Sequence, residues 1–165
     1  MGRLFGTDGI RGRAGTDLTE ELAFALGRAA VEVLGRHGAG RPSFVVGRDP
    51  RASGEWLEDA LVEGIRTAGG DAILAGVEPT PAVAFLTVDL GASSGVVISA
   101  SHNPAEDNGI KFFADNGMKL PDELEDEIEA ALRSPAPAAE VTGTTLASGD
   151  AANRYLEHLV AAAEA

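Results

Sequence analysis

Ser43-Phe44-Val45-Val46-Gly47, the periodic segment from Ser53 to Ala68, and Ala72-Ile73-Leu74-Ala75 make one unit of the chain. The two outer pieces are short apolar runs bounded by turn residues, Arg48-Asp49-Pro50-Arg51 after the first and Gly69-Gly70 before the second. Runs of that length and setting read as buried strands. Between them Trp56, Leu57, Ala60, Leu61 and Ile65 recur at helical spacing and form the inner face of a helix. Short apolar strands alternating with helices belong to a mainly parallel sheet covered on both faces.

The same alternation extends in both directions. Leu18, Leu22, Ala25, Leu26, Ala29, Val33 and Leu34 lie on one stripe of a helix over residues 18–37. Asp17 or Thr19 can cap it, and Gly38 and Gly40 stop it. Thr80-Pro81 predicts another helix start, with Thr80 as cap and Pro81 as first helical residue. Gly95-Val96-Val97-Ile98 is a third strand. Ile110 to Phe113, a turn at Asp115-Asn116-Gly117, and Met118 to Leu120 predict a hairpin that supplies one antiparallel edge strand. An amphipathic helix follows from Pro121 to Leu132, with the acidic run Asp122 to Glu129 as its solvated face. The expected fold is α/β: a three-layer α/β/α domain with a mixed, mainly parallel sheet over residues 1–133. Residues 134–150 have linker composition, beginning Ser134-Pro135-Ala136-Pro137. Residues 151–165 read as a helix opening a further, truncated domain, because Tyr155, Leu156, Leu159 and Val160 have no sequence left to pack against. Apolar surface left uncovered in this way predicts self-association.

The chain has 165 residues, enough for one domain with a real core. Its 26 acidic and 13 basic side chains give a formal charge of −13. That sign disfavours nucleic acid and anionic membrane as partners. The absence of cysteine excludes disulfides, thiolate catalysis and a Cys-ligated zinc site. No apolar run reaches the ~20 residues that span a bilayer. Gly6-Thr7-Asp8-Gly9 interrupts any signal-peptide pattern, so the expected compartment is the cytoplasm.

Candidate chemistry centres on Ser101. It follows a buried strand, and in parallel sheets ligands bind beyond the carboxyl ends of the strands. It is either a nucleophilic or phosphate-carrying hydroxyl, or a serine that caps its own turn. His102 is a general acid–base group, a phosphate donor, or a loop histidine held by backbone bonds. Asn103-Pro104 is first a turn signal. Lys111 either lies on an exposed face or points a cation at the Ser101 loop. Phe5 to Gly12 is a glycine-punctuated loop, in which Arg11 can offer a bidentate guanidinium to a phosphate or lie idle at the surface. It matches neither the P-loop nor the dinucleotide fingerprint. The three histidines, His37, His102 and His158, sit too far apart for a metal site.

Arg3-Leu4-Phe5-Gly6-Thr7-Asp8-Gly9-Ile10-Arg11-Gly12, then Gly47-Arg48-Asp49-Pro50-Arg51, then Ile98-Ser99-Ala100-Ser101-His102-Asn103-Pro104 with Asp107-Asn108-Gly109-Ile110-Lys111-Phe112-Phe113, resemble in this order the α-D-phosphohexomutase superfamily. The first and last runs look most like its phosphoglucosamine mutase branch, ahead of phosphomannomutases and phosphoglucomutases. The resemblance implies interconversion of glucosamine 6-phosphate and glucosamine 1-phosphate through a phosphoserine and a bisphosphate, in the supply of UDP-N-acetylglucosamine for cell-wall precursors. It implies Ser101 as phosphoserine and ligand of Mg²⁺, with His102, Lys111 and Arg11 beside it, and Asn103 and Thr7 on the substrate side. It also implies three further domains. The family's aspartate-rich metal loop, Asp-Gly-Asp-x-Asp-Arg, and its sugar loop, Gly-Glu-x-Ser-Gly, have no counterpart in these residues, so the chain alone is expected to be inactive. The rival reading of a different class is a non-catalytic phosphate-binding domain.

Overall fold

The computed structural model describes residues 3–165; Met1 and Gly2, the first two residues of the expected 1–133 domain, lie outside them. The strands are β1 (Ile10–Arg13), β2 (Ser43–Arg48), β3 (Asp71–Val77), β4 (Ser94–Ile98), β5 (Asp107–Ala114) and β6 (Thr145–Ala147). They form one sheet in the spatial order β1-β5-β4-β2-β3-β6. β2 pairs in parallel with both β3 and β4, and β6 runs parallel to β3; β5 is antiparallel to β4 and to β1.

Alternation along the strands divides the core into two layers. Phe44, Val46, Val96, Ile98, Ile110 and Phe112 face α1 (Glu20–His37), α2 (Gly54–Thr67) and α4 (Asp122–Arg133). Val45, Val97 and Phe113 face α3 (Thr80–Asp89). The expected three-layer α/β/α architecture with a mixed, mainly parallel sheet is therefore the one observed. Phe112 and Phe113 fall on opposite faces, and both are buried. The backbones of α1 and α2 nearly touch: a Cβ on Gly64 would lie 2.1 Å from the carbonyl oxygen of Phe24, and one on Gly27 2.3 Å from that of Leu61. Among the described residues, no helix is long and apolar enough to cross a membrane.

Several expectations are corrected. Thr19, not Asp17, caps α1 by accepting the Leu22 N–H at 3.2 Å; the Asp17 carboxylate instead accepts the Arg13 N–H. Pro79 occupies the cap of α3, so Thr80 and Pro81 both stand inside the first turn. Proline is harmless there, because the first turn's N–H groups have no intrahelical acceptor. The glycine-punctuated opening is not all loop. Its residues 10–13 form β1, which covers the outer edge of β5, so β1 and not β5 is the edge strand on that side. The hairpin's return arm reduces to a single bridge, Phe113 with Lys119, because Pro121 lacks an N–H and α4 begins directly after it.

The acidic face of α4 is also not wholly solvated. Asp122 and Asp126 are exposed, but Glu125 and Glu129 are buried. Glu125 meets the Arg3 guanidinium at 3.3 Å and the Lys119 ammonium at 3.1 Å, and Glu129 accepts the Phe5 N–H at 3.4 Å. Buried carboxylates survive only when paired in this way. They fasten the N-terminal arm to the domain.

The linker-like stretch supplies β6. Asp71 fastens it, accepting the main-chain N–H of Thr144 at 2.7 Å and its hydroxyl at 2.9 Å, with Arg41 at 3.4 Å. The helix α5 (Ala151–Glu164) does find a partner: His158 stacks on Phe85 with ring centroids 4.3 Å apart, and Tyr155 lies 6.0 Å from the same ring. Leu156, Leu159 and Val160 stay exposed.

Burial alone would raise the Asp71 pKa, but the bonds from Thr144 and Arg41 outweigh it and hold the carboxyl below the usual aspartate range. A carboxyl depressed in the folded state stabilises fully above its unfolded pKa, and that contribution fades as pH falls through the lower folded value. Hydrogen exchange followed by mass spectrometry should therefore show residues 144–147 losing protection below about pH 4, ahead of β2 and β4. Asp71→Asn should remove that pH dependence. Equal pH dependence in the variant would contradict the clasp.

Candidate functional site

The carboxyl ends of β2 and β4 lie side by side, and the chain beyond β4 turns through residues 99–106 before entering β5. Register decides what faces this turn. Val97 pairs with Lys111, so the lysine emerges on the α3 side of the sheet, where its Nζ stands 5.5 Å from the centre of the Phe113 ring. Arg11 pairs with Gly109 on the other flank of β5. Gly9 lets the preceding loop lie against β5: its φ is +82°, and a Cβ there would fall 2.4 Å from the Ile110 carbonyl oxygen. Asp8, Arg11, Thr80, Val97, Ser99, Ser101 and Lys111 then line one cavity of about 230 Å³. The Arg11 guanidinium stands 3.6 Å from the Asp8 carboxylate, and its buried Nε has no hydrogen-bond partner among the described residues. Thr80 brings the N-terminal end of α3 to the same cavity, and with it the positive pole of the helix. An acidic chain has thus gathered two cations and a helix N-terminus into one cavity with Ser101.

Ser101 is exposed and is the one non-glycine residue with positive φ among the described residues, at 55°. This left-handed conformation costs roughly 1–2 kcal/mol for an L-residue with a Cβ, and such strain gathers at functional positions. The Ser101 N–H donates to the Ser99 hydroxyl at 3.0 Å, and Ser99 in turn donates to the Asp49 carboxylate at 2.7 Å. The Ser101 hydroxyl lies 3.4 Å from Nδ1 of His102, whose ring is exposed.

Ser101, Arg11 and Lys111 therefore share one cavity, and His102 adjoins the hydroxyl. Asn103 lines a neighbouring cavity of about 510 Å³, which shares Ser99, Ser101 and Thr80 with the first. The Asn103 amide donates to Asp107 at 3.2 Å. Thr7 is exposed in the Gly6–Gly9 turn and lines neither cavity. Sequence reasoning had given no role to Asp49 or Arg51, which lie beneath the Ser101 loop, nor to Asn108. The buried Asn108 accepts the Gly109 N–H through its side-chain oxygen and donates to the Ser53 hydroxyl, tying the start of β5 to α2. The signal for the first two was present in Arg48-Asp49-Pro50-Arg51, charged residues directly after a buried strand.

Residues 2–138 match the family described as phosphoglucomutase/phosphomannomutase, alpha/beta/alpha domain I. A phosphoglucosamine mutase of Thermobifida fusca is 58% identical over 164 residues, covering 97% of this chain and 36% of that protein. One of Syntrophomonas wolfei is 55% identical over 166 residues, covering 97% and 37%. Among solved structures, a phosphoglucomutase/phosphomannomutase family protein from Burkholderia thailandensis superimposes with a TM-score of 0.80 at 29% identity, over 96% of this chain and 35% of that one. The chain spans little more than a third of the length of the relatives it matches.

The strain at Ser101 has a measurable consequence. Ser101→Gly should raise the stability of the 165-residue chain by about 1 kcal/mol in urea unfolding, whereas Ser101→Ala should leave it nearly unchanged. A glycine variant no more stable than the alanine variant would show that the strain does not exceed the unfolded-state entropy that glycine adds.

Proposed function

The chain belongs to the phosphoglucomutase/phosphomannomutase family, and from that premise we propose that it is the phosphoserine domain of a phosphosugar mutase, with Ser101 as the phosphoryl carrier. Its sheet extends past the expected boundary at residue 133 to β6 (Thr145–Ala147), and the exposed residues of α5 are read as facing a further domain. The observation that carries the reading is that Ser101 lines one cavity together with Arg11 and Lys111. A phosphoserine holds close to two negative charges, and these cations with the N-terminal end of α3 are the local compensation for it.

In the forward half-reaction the P–Oγ bond of phosphoserine breaks as a sugar hydroxyl oxygen forms its own bond to the same phosphorus. The sugar hydroxyl gives up its proton and the departing Oγ takes one. This yields the free serine and a sugar bisphosphate. In the return half-reaction the other phosphate moves back to Oγ, and the isomeric monophosphate leaves. Such transfers depend on positioning and on stabilising charge. Lys111 and Arg11 stabilise charge at the transferring group, and His102, 3.4 Å from Oγ, holds or supplies the proton. Asn103 and Thr7 are assigned to the substrate side.

The substrate pair proposed is glucosamine 6-phosphate and glucosamine 1-phosphate. The support is the naming of relatives 55–58% identical over nearly this whole chain. The cytoplasm is the proposed compartment, and the remaining domains are the proposed partners of the exposed face of α5. Magnesium is the metal the resemblance implies. It takes a near-octahedral set of oxygen ligands. Among the described residues no group of three His, Asp or Glu side chains could hold an ion. Asp8, the one carboxylate lining the cavity of Arg11 and Lys111, pairs with Arg11, and Asp49 accepts bonds from Ser99 and Arg51. The residues here fit as one ligand, the Ser101 oxygen, of a set completed elsewhere, so no step above passes through the metal.

Mass spectrometry of the full-length natural protein should find a phosphopeptide containing Ser101. Ser101→Ala should abolish that phosphate and lower turnover of glucosamine 6-phosphate by roughly 10⁴-fold or more. The 165-residue chain alone should show no turnover. Full activity of the alanine variant would overturn the carrier role.

A further inference from the structure

Arg51 invites a simple reading, as an arginine at the rim of a phosphate site. The geometry contradicts it. A guanidinium has five N–H donors. Nε donates to the Asp49 carboxylate at 2.9 Å. One terminal nitrogen donates to the carbonyl oxygens of Pro104 at 2.6 Å and Asp107 at 3.1 Å. The other donates to those of Ser101 at 2.9 Å and Asn103 at 3.0 Å. No N–H is left for a ligand, and the side chain is only 12% exposed.

The bonds close into a ring through Ser101. Its N–H reaches the Ser99 hydroxyl, Ser99 reaches Asp49, Asp49 holds Arg51, and Arg51 returns to the Ser101 carbonyl. Asp49 also accepts the main-chain N–H of Arg51 at 3.0 Å, which fixes the pair internally. Both main-chain groups of the residue with left-handed backbone are thus tied to a single ion pair. Four carbonyl oxygens that converge on one point repel each other, and a planar cation between them removes that repulsion.

We infer that Asp49 and Arg51 are positioning residues for the phosphoryl carrier: through Ser99 and the loop carbonyls they hold Ser101 in its left-handed conformation, and so aim its hydroxyl into the cavity of Arg11 and Lys111. They act through Ser101 and bind no phosphate themselves. The inference rests on Ser101 being the carrier. Lysine cannot replace Arg51, because an ammonium has three donors and no fork.

The test uses the full-length mutase with Arg51→Lys, Ser99→Ala and Ser101→Ala. Arg51→Lys should lower kcat about 100-fold while KM for the sugar phosphate stays within about threefold, as a displaced reacting group does. Ser99→Ala removes one link of the ring and should lower kcat by up to about tenfold, again with little change in KM. Raised KM at unchanged kcat in Arg51→Lys would make Arg51 a substrate ligand and overturn the proposal. So would wild-type kcat in both Arg51→Lys and Ser99→Ala. If Arg51→Lys does not fold, Ser99→Ala decides: an unchanged kcat overturns the proposal. Activity in Ser101→Ala would remove the carrier reading underneath it, a result distinct from the other two.

Discussion

The hydrogen bond from the Asp49 N–H to the Ile98 carbonyl, at 3.0 Å, is where the sheet hands its geometry to the site. It continues the parallel pairing of β2 with β4 one step past Arg48 and Ile98. Because of it, the carboxylate that follows β2 stands next to the serine loop that follows β4. Ser99 and Arg51 then assemble on that carboxylate, and the carbonyls of Ser101, Asn103, Pro104 and Asp107 assemble in turn on the Arg51 guanidinium. A one-residue slip of register would turn every side chain of the strand to the other face and separate these groups. The buried apolar residues of β2 and β4 therefore do more than form a core, since they fix the placement of a polar network at its edge.

A second chain of contacts brings the cations. The N-terminal arm is fastened at Arg3 and Phe5 by the buried carboxylates of α4, passes over β5 at Gly9, and ends in β1 with Arg11. Lys111 arrives from within the sheet, on β5 itself. The two cations at Ser101 thus come from neighbouring paired strands, β1 and β5, and the ion pairs on α4 hold the arm that leads into the first of them. Exposed ion pairs elsewhere, such as Arg66 with Glu63, contribute little by comparison. The formal charge of −13 describes the surface and gives no guide to this local field.

The fold was legible because its main signals are periodic. β2, α2 and β3 declare themselves by apolar runs and helical spacing, and the alternation of Phe112 and Phe113 between layers follows from the strand period. β1 was hidden because glycines at 6, 9 and 12 mimic a loop, while its pairing partner lies about a hundred residues away. The burial of Glu125 and Glu129 was hidden because sequence shows charge and not what stands opposite it. Ser101, Lys111 and Arg11 were legible as candidates only through their motifs, since spacing left each open. Arg51 was invisible as anything but a turn residue, because its partners are main-chain oxygens, which no sequence pattern marks.

The central claim is that phosphorus passes through the Ser101 oxygen. Full-length protein carrying ³²P on that residue, mixed with unlabelled glucosamine 6-phosphate and quenched within one turnover, tests it most directly. The label should leave the protein and appear in sugar phosphate at the rate of turnover. Product formed while the label stays on the protein would contradict the account.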